Sequence, residues 1–305
     1  MRARSIRAVA RPALLVLPLL CATSIHAAPN SFNTALPVAE GEFIWREQAV
    51  VRERSDDAPM QREVSIRALV SVLGYGVNAR LSTFVVAPYF LAKDLDVTTP
   101  GGRVSRRAGG WGDLSVFGKY TLGQRDSRGS TVRWAAFGGV TAPTGRHDQR
   151  DALGELPRPL QAGDGAWDGF GGVVASVQTL QYQVDAQASH RLNGRHDGFE
   201  RGDESRLDAS LQYRVWPSSL QGLHGTPAFT YLLLESSLVS SQRHVVDGST
   251  DPDSGGFQWT LAPGVQYVGR RWIFEGTVQQ PLVSNPRGHA IQDDTVVRLG
   301  FRRNF

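Results

Sequence analysis

The chain is almost without cysteine: Cys21 is the single one among 305 residues, and it lies near the start. Neither a disulfide nor a thiolate metal site can therefore hold the rest of the fold. Beyond residue 20 no apolar run approaches the roughly 20 residues that a membrane helix needs. Any crossing of a membrane is then made by strands, because a closed ladder is the other way to satisfy every backbone amide in lipid. A surplus of one charge is missing as well. The 33 Lys+Arg face 29 Asp+Glu, but four of the arginines (Arg2, Arg4, Arg7 and Arg11) precede the apolar run 13–20, and without them the balance is even. The basic residues are scattered among acidic ones and form no stripe of the kind that phosphate-driven binding requires, which argues against nucleic acid as a partner. The seven histidines show no metal-ligand spacing. No glycine-rich phosphate loop opens a helix, so the sequence asks for no cofactor.

The first residues have the layout of a secretory signal peptide: arginines, an apolar run, then small residues. Cys21 raises a lipoprotein alternative, but Leu20 before it is bulky for such a site, and Ile25-His26-Ala27 offers ordinary cleavage after Ala27. The expected organisation is a signal peptide over 1–27, a polar periplasmic lead-in over 28–41 and a β-domain over 42–305.

That domain reads at period two. In the last stretch Thr295, Val297, Leu299, Phe301, Arg303 and Phe305 alternate with Val296, Arg298, Gly300, Arg302 and Asn304. Leu180, Tyr182, Val184, Ala186 and Ala188 alternate with Gln181, Gln183, Asp185, Gln187 and Ser189. Strands are predicted over 43–54, 62–73, 77–90, 111–122, 131–141, 167–178, 180–192, 206–216, 228–239, 257–268, 271–280 and 294–305. Twelve segments of this length fit a transmembrane antiparallel up-and-down β-barrel, whose strands need about 9 to 11 tilted residues and come in even number. The outer connections (55–61, 91–110, 142–166, 193–205, 240–256, 281–293) are mostly longer than the inner ones, the expected asymmetry. Trp111, Trp167 and Trp259 fall at outer strand ends, and Trp45, Trp134, Trp216 and Trp272 near inner ends, as aromatic rings do at membrane interfaces. A soluble β-sandwich or lipocalin-like barrel is the alternative, but mostly polar inward faces would leave it without a dry core.

The final strand ending on Phe305 resembles the closing signal that the barrel assembly machinery of the outer membrane recognises. Gly109-Gly110-Trp111-Gly112-Asp113-Leu114 with Lys119-Tyr120, then Pro143-Thr144-Gly145, then Gly163-Asp164-Gly165-Ala166-Trp167-Asp168 resemble, in order and spacing, a family of proteobacterial outer-membrane proteins named for the meta-pathway of phenol degradation and often called transporters. The resemblance spans residues 109–172; elsewhere it is one of strand pattern. It implies a porin-like barrel in the outer membrane of a Gram-negative cell that passes small molecules, aromatic or other apolar compounds among them. It implies no catalytic residue. The partners expected are outer-membrane lipid, the assembly machinery and a small-molecule substrate.

The candidates for lining a lumen are Arg67, Arg80, Lys119, Arg133, Asp185, Arg191, Asp208, Arg214, Glu275 and Arg298, with Glu63, Asp113 and Arg302 on the same expected face. Mixed charge there suits passage of polar solutes or orientation of a substrate. It suits equally a lumen filled by ion pairs, since twelve strands lie between the roughly eight that leave no channel and the 16 to 18 that leave an aqueous one. The N-terminal lead-in and the loop 142–166 are the segments that could plug it. A closed structural or adhesion barrel is one alternative, and a hydrolase another. Ser189 and His190 are adjacent on a strand and point to opposite faces, so they cannot share a proton. Asp56-Asp57 with His147-Asp148 or His196-Asp197 read as solvated loop charges, and Asp247, Asp251 and Asp253 match no calcium loop.

Overall fold

The computed structural model describes residues 27–56, 58, 61–220 and 227–305. Asp57 and all of the signal region except Ala27 lie outside these residues. Thirteen strands share one antiparallel sheet: β1 (Phe43–Ser55), β2 (Glu63–Gly76), β3 (Leu81–Thr99), β4 (Gly102–Trp111), β5 (Leu114–Ser127), β6 (Ser130–Ala142), β7 (Asp168–Thr179), β8 (Tyr182–Leu192), β9 (Glu204–Trp216), β10 (Phe229–Ser241), β11 (Gly256–Val268), β12 (Trp272–Pro286) and β13 (Gln292–Asn304). The inner half of β3 pairs with β5 and its outer half with β4, so β4 and β5 occupy one place in the wall. With β2 paired to β3, and β1 to both β2 and β13, the ring closes on twelve places as a transmembrane antiparallel β-barrel.

Closure at the seam is local and aromatic. The Phe43 amide donates to the Phe305 carbonyl at 2.7 Å and the Phe305 amide to the Phe43 carbonyl at 3.0 Å. Their rings stack at 5.9 Å, and Phe43–Tyr75, Trp45–Phe301 and Phe274–Phe301 continue a girdle across β2, β1, β13 and β12. Above this level the outer surface is apolar: Val85, Val116, Val140, Val184, Leu211, Leu234, Val265 and Leu299 are exposed on it. Such a band is what a hydrocarbon slab selects. Trp111 and Trp167 stand exposed at the opposite rim.

The structure corrects three expectations. Residues 91–110, expected as a loop, form a hairpin that continues β3 to Thr99 and returns as β4. Its polar residues are cross-strand partners, Arg107 with Asp94 at 2.6 Å and Arg103 with Asp96 at 3.2 Å, so their charge reflects pairing beyond the membrane. Arg80 sits in the exposed turn before β3, which begins at Leu81, four residues later than expected. On β2 the expected facing is reversed: Val64, Ala68 and Val70 look inward, and Glu63 and Arg67 lie on the outer face, Arg67 paired with Asp94 at 2.7 Å. The reason is the neighbouring wall. Apolar residues of β2 continue an apolar side of the lumen, so polarity on this strand marks the outside.

Candidate functional site: a divided lumen crossed by the N-terminal segment

Inward positions follow from the register and from burial. From β3 to β7 they carry Phe84, Phe117, Phe137, Phe170 and Val174, an apolar wall in which Phe84 stacks on Phe117 at 4.7 Å and Phe117 meets Phe137 and Phe170 edge-on at 6.3 and 5.8 Å. From β8 through β13 to β1 they carry Gln183, Asp185, Asp208, Gln212, Glu235, Gln266, Glu275 and Thr277, all buried, with Arg46, Gln48, Arg52, Arg54 and Arg298. One side of the lumen is mainly phenylalanine, with Ser82, Lys119 and Ser176 set among the rings; the other is amide, carboxylate and guanidinium.

Across the inner part of this space runs the segment 27–40. Its polar backbone groups need partners wherever water is excluded, and the wall supplies them, first from β11, β10, β12 and β1 about residues 28–31 and then in ring order from β8 to β3. Gln266 Oε1 accepts from the Ala28 amide at 3.3 Å. Glu235 accepts from the Asn30 amide and, at 2.6 Å, from Ser31 Oγ. Asn30 Nδ2 donates to Thr277 at 3.0 Å, and Arg46 and Gln48 donate to the Asn30 carbonyl at 2.9 and 3.0 Å. Further round, Gln187 and Ser176 accept from the amides of Asn33 and Ala35 at 3.1 and 2.8 Å. Lys119 Nζ then donates to the carbonyls of Thr34 and Leu36, and Ser82 accepts from the Val38 amide at 3.0 Å. A bridge from Glu40 to Gly76 delivers the chain to β1. Ala28, Asn30, Ala35 and Val38 are all nearly inaccessible, and Ala35 packs into the phenylalanine wall.

The outer end is narrowed by the loop that joins β6 to β7. Leu156 and Leu160 pack on Val64, Leu95 and Ala108, and Lys93 Nζ donates to the Gln161 carbonyl at 2.6 Å. Asp113 ties this loop to the gap between β4 and β5. Its two oxygens accept from the amides of Gly145 and Asp164 at 2.8 and 3.0 Å, while Thr144 Oγ1 accepts from the Leu114 amide at 2.9 Å. The three glycine-rich motifs of the sequence thus meet at one carboxylate. A Cβ on Gly163 would lie 2.7 Å from Asp113 Oδ1 and from the Gly145 carbonyl, which explains glycine there. Short hairpins at 195–200 and 245–250 join into a four-stranded sheet above the mouth. A cavity of about 160 Å³ opens at the outer end of the charged wall, lined in part by Arg52, Arg54, Glu204, His244 and Asp293.

Of the sequence candidates, eight lie on inward positions. Lys119 holds the crossing segment, and Glu275 pairs with Arg46 at 2.6 Å. Asp185 accepts from Ser176 Oγ and, at 2.9 Å, from Gln183. Asp208 accepts from Ser237 at 2.6 Å and Arg206 at 3.2 Å. Arg214 donates to Gln181 at 2.9 Å, Arg133 to Gln124 at 2.9 Å and Arg298 to Gln279 at 3.4 Å, and Arg191 faces Asp168 at 3.4 Å. Arg67 and Arg80 do not join them. Sequence reading passed over Glu235, Gln266, Arg46 and the phenylalanines. Glu235 did carry a signal: it is a lone carboxylate in Leu232-Leu233-Leu234-Glu235, on the parity opposite to the lipid-facing leucines.

The fold is similar to that of an outer membrane channel from Pseudomonas putida F1, with a TM-score of 0.68 and 15% identity over 92% of this chain and 100% of that one. The transport unit of the autotransporter AIDA-I from Escherichia coli is similar at a TM-score of 0.48 and 11% identity, over 86% of this chain and 90% of that one. No protein of curated function matches the sequence. A family model described as "Putative MetA-pathway of phenol degradation" matches residues 51–284.

Proposed function

Because the chain belongs to the family named for the MetA pathway of phenol degradation, and because its lumen is divided into a phenylalanine wall and a charged wall, we propose that it passes small molecules with apolar or aromatic bodies across the outer membrane. The divided lumen is the observation that carries this reading. A porin for sugars and ions needs a wetted bore, whereas here the inner lumen is taken up by the segment 27–40 and its partners. The phenylalanine wall offers an aromatic solute a desolvated face at about 25 cal/mol per Å² of apolar area covered. Passage then requires the crossing segment to shift. The likeness in fold to a channel supports the same reading.

Chemistry is absent from this proposal. His190 lies on the outer face, bonded to Ser205 at 2.9 Å, and His147 packs edge-on against His196 at 4.7 Å in the outer loops, with no serine in that contact. Export by the signal peptide 1–27, insertion among outer-membrane lipid and recognition of the strand ending at Phe305 by the assembly machinery complete the proposal.

The test is solute flux through liposomes carrying the chain from residue 28 onward. Flux of phenol-type solutes above that of protein-free liposomes, without matching sugar or ion flux, is expected. Deleting residues 28–40 should add ion conductance. Equal passage of sugars and ions by the intact protein would overturn the reading in favour of a general pore, and no flux of any solute would favour a structural barrel.

A further inference from the structure

The charged wall is not evenly satisfied. Arg206 has Asp208 at 3.2 Å and Glu204 at 3.7 Å, and Arg54 has Asp293 at 2.9 Å. Arg46 has Glu275. Glu235, the carboxylate at the level of Arg298, is turned to the Asn30 amide and the Ser31 hydroxyl. Two arginines are left with little. Arg52 reaches only the far side of the already committed Asp293, at 3.8 Å, and Arg298 makes one long bond of 3.4 Å to a neutral amide oxygen, Gln279 Oε1. Arg52 and Arg206 repel Arg298, and Glu235 and Asp293 attract it, yet neither carboxylate is bonded to it: Asp293 pairs with Arg54 and Glu235 with the crossing segment.

The position of Arg298 gives this weak pairing a use. It lies midway along β13, cross-strand from Thr277, which binds Asn30, and so stands just above the crossing segment. Arg52 lies further toward the mouth on β1, cross-strand from Val296. In a ring of twelve, β13 is diametrically across from β7, which carries Phe170 and Val174. A molecule resting on the crossing segment therefore meets Phe170, with the Arg191 guanidinium 5.1 Å over its ring, on one side and the weakly paired Arg298 and Arg52 on the other. Guanidinium presents a planar fork of donors that matches a carboxylate, and neither Arg298 nor Arg52 has a carboxylate within hydrogen-bond distance of its fork.

We propose that the lumen between the crossing segment and the outer loops binds small amphipathic anions, a monocarboxylate on an aromatic or short alkyl body, with the carboxylate held by Arg298 and Arg52 and the body against Phe170. This rests on the passage of apolar-bodied solutes proposed above and narrows it to a substrate class. The phenylalanine wall alone cannot tell a neutral ring from an acid. Arg298 supplies the distinction.

Calorimetry on the detergent-solubilised protein at pH 8 and low salt tests it, with benzoate, the neutral benzyl alcohol and the cationic benzylamine as probes. Benzoate should bind best. Arg298→Gln should weaken benzoate roughly tenfold, the scale of one charge-assisted contact, and leave benzyl alcohol unchanged. Arg298→Lys should restore part of the loss, Arg52→Gln should reproduce it in smaller measure, and Arg67→Gln, on the outer surface, should have no effect. Retained heat-modifiable migration on a gel confirms that each variant is folded. Equal binding of benzoate and benzyl alcohol, with no effect of Arg298→Gln, overturns the anion site and leaves passage of apolar solutes standing. Binding of none of the three probes overturns both.

Discussion

Lys119 Nζ donates to the Thr34 carbonyl at 2.8 Å, so a wall side chain grips the backbone of the segment that crosses the lumen. A second bond from the same nitrogen reaches the Leu36 carbonyl at 2.7 Å. These are cross-links between barrel and segment that no apolar contact could replace, since carbonyls left bare in a dry interior are costly.

Replacing Lys119 by Met should therefore loosen the segment without opening the barrel. Losing the pair should cost about 2 kcal/mol of docking, which raises the undocked fraction roughly 30-fold. Planar-bilayer recordings should show more frequent openings from Lys119→Met than from the unaltered protein. An unchanged opening frequency would mean that other contacts hold the segment alone.

Asp113 is the next point of leverage. Asp113→Ala strands the amides of Gly145 and Asp164, and about 2 kcal/mol of loop stability should go with it. Amide exchange at those two positions should quicken while exchange in β5 and β6 stays slow. Asp113→Asn, which keeps one carbonyl acceptor, should fall between. Protection unaltered in Asp113→Ala would remove Asp113 from its place as the clamp.

His244 makes the outer loops sensitive to pH. Its Nδ1 accepts from the Gly202 amide at 2.9 Å, which requires the neutral ring at that nitrogen. Burial, aided by Arg201 and opposed by Asp251, holds its pKa below the ordinary value of 6.5. A histidine depressed in the folded state contributes stability that is complete above its unfolded pKa and is lost as the pH falls through and below it. The Gly202 amide should exchange faster at pH 5 than at pH 7 after correction for intrinsic rates. His244→Asn, with a neutral acceptor, should flatten that dependence.

Phe305 closes the seam by two backbone bonds and a stacked ring. Phe305→Ala keeps the bonds and removes the ring, so the finished barrel should remain heat-modifiable while the amount reaching the outer membrane drops several-fold, if the terminal aromatic is what the assembly machinery reads. Membrane fractions compared by immunoblot decide it: equal yields would place recognition elsewhere in the strand.

The barrel was legible because lipid imposes one rule on the outer face: alternate residues from β3 to β13 are apolar there, and the tryptophans mark the ends. That rule misleads on β2. Its inner face, Val64 to Val72, continues an apolar lumen wall, and its outer face carries Ser71 bonded to Glu47 at 2.6 Å, so polarity pointed the wrong way for Arg67. The hairpin beyond Leu91 was hidden for a related reason. Outside the membrane both faces are solvated or paired by charge, and Asp94, Asp96, Arg103 and Arg107 read as loop. Which segment enters the lumen was left open between the lead-in and the loop 142–166. The answer depends on contacts such as Ala28 with Gln266, 238 positions apart, which no local pattern encodes.

The order of events in assembly follows from those distances. The segment 27–40 precedes every strand, yet its anchors reach as far along the chain as Thr277. It can take its place only after β10, β11 and β12 have joined the wall. Until then Glu235, Gln266 and Thr277 have no segment to receive, and the segment has no shelter for its amides. A segment that precedes every strand thus settles late, and its arrival records that the wall has been built as far as β12.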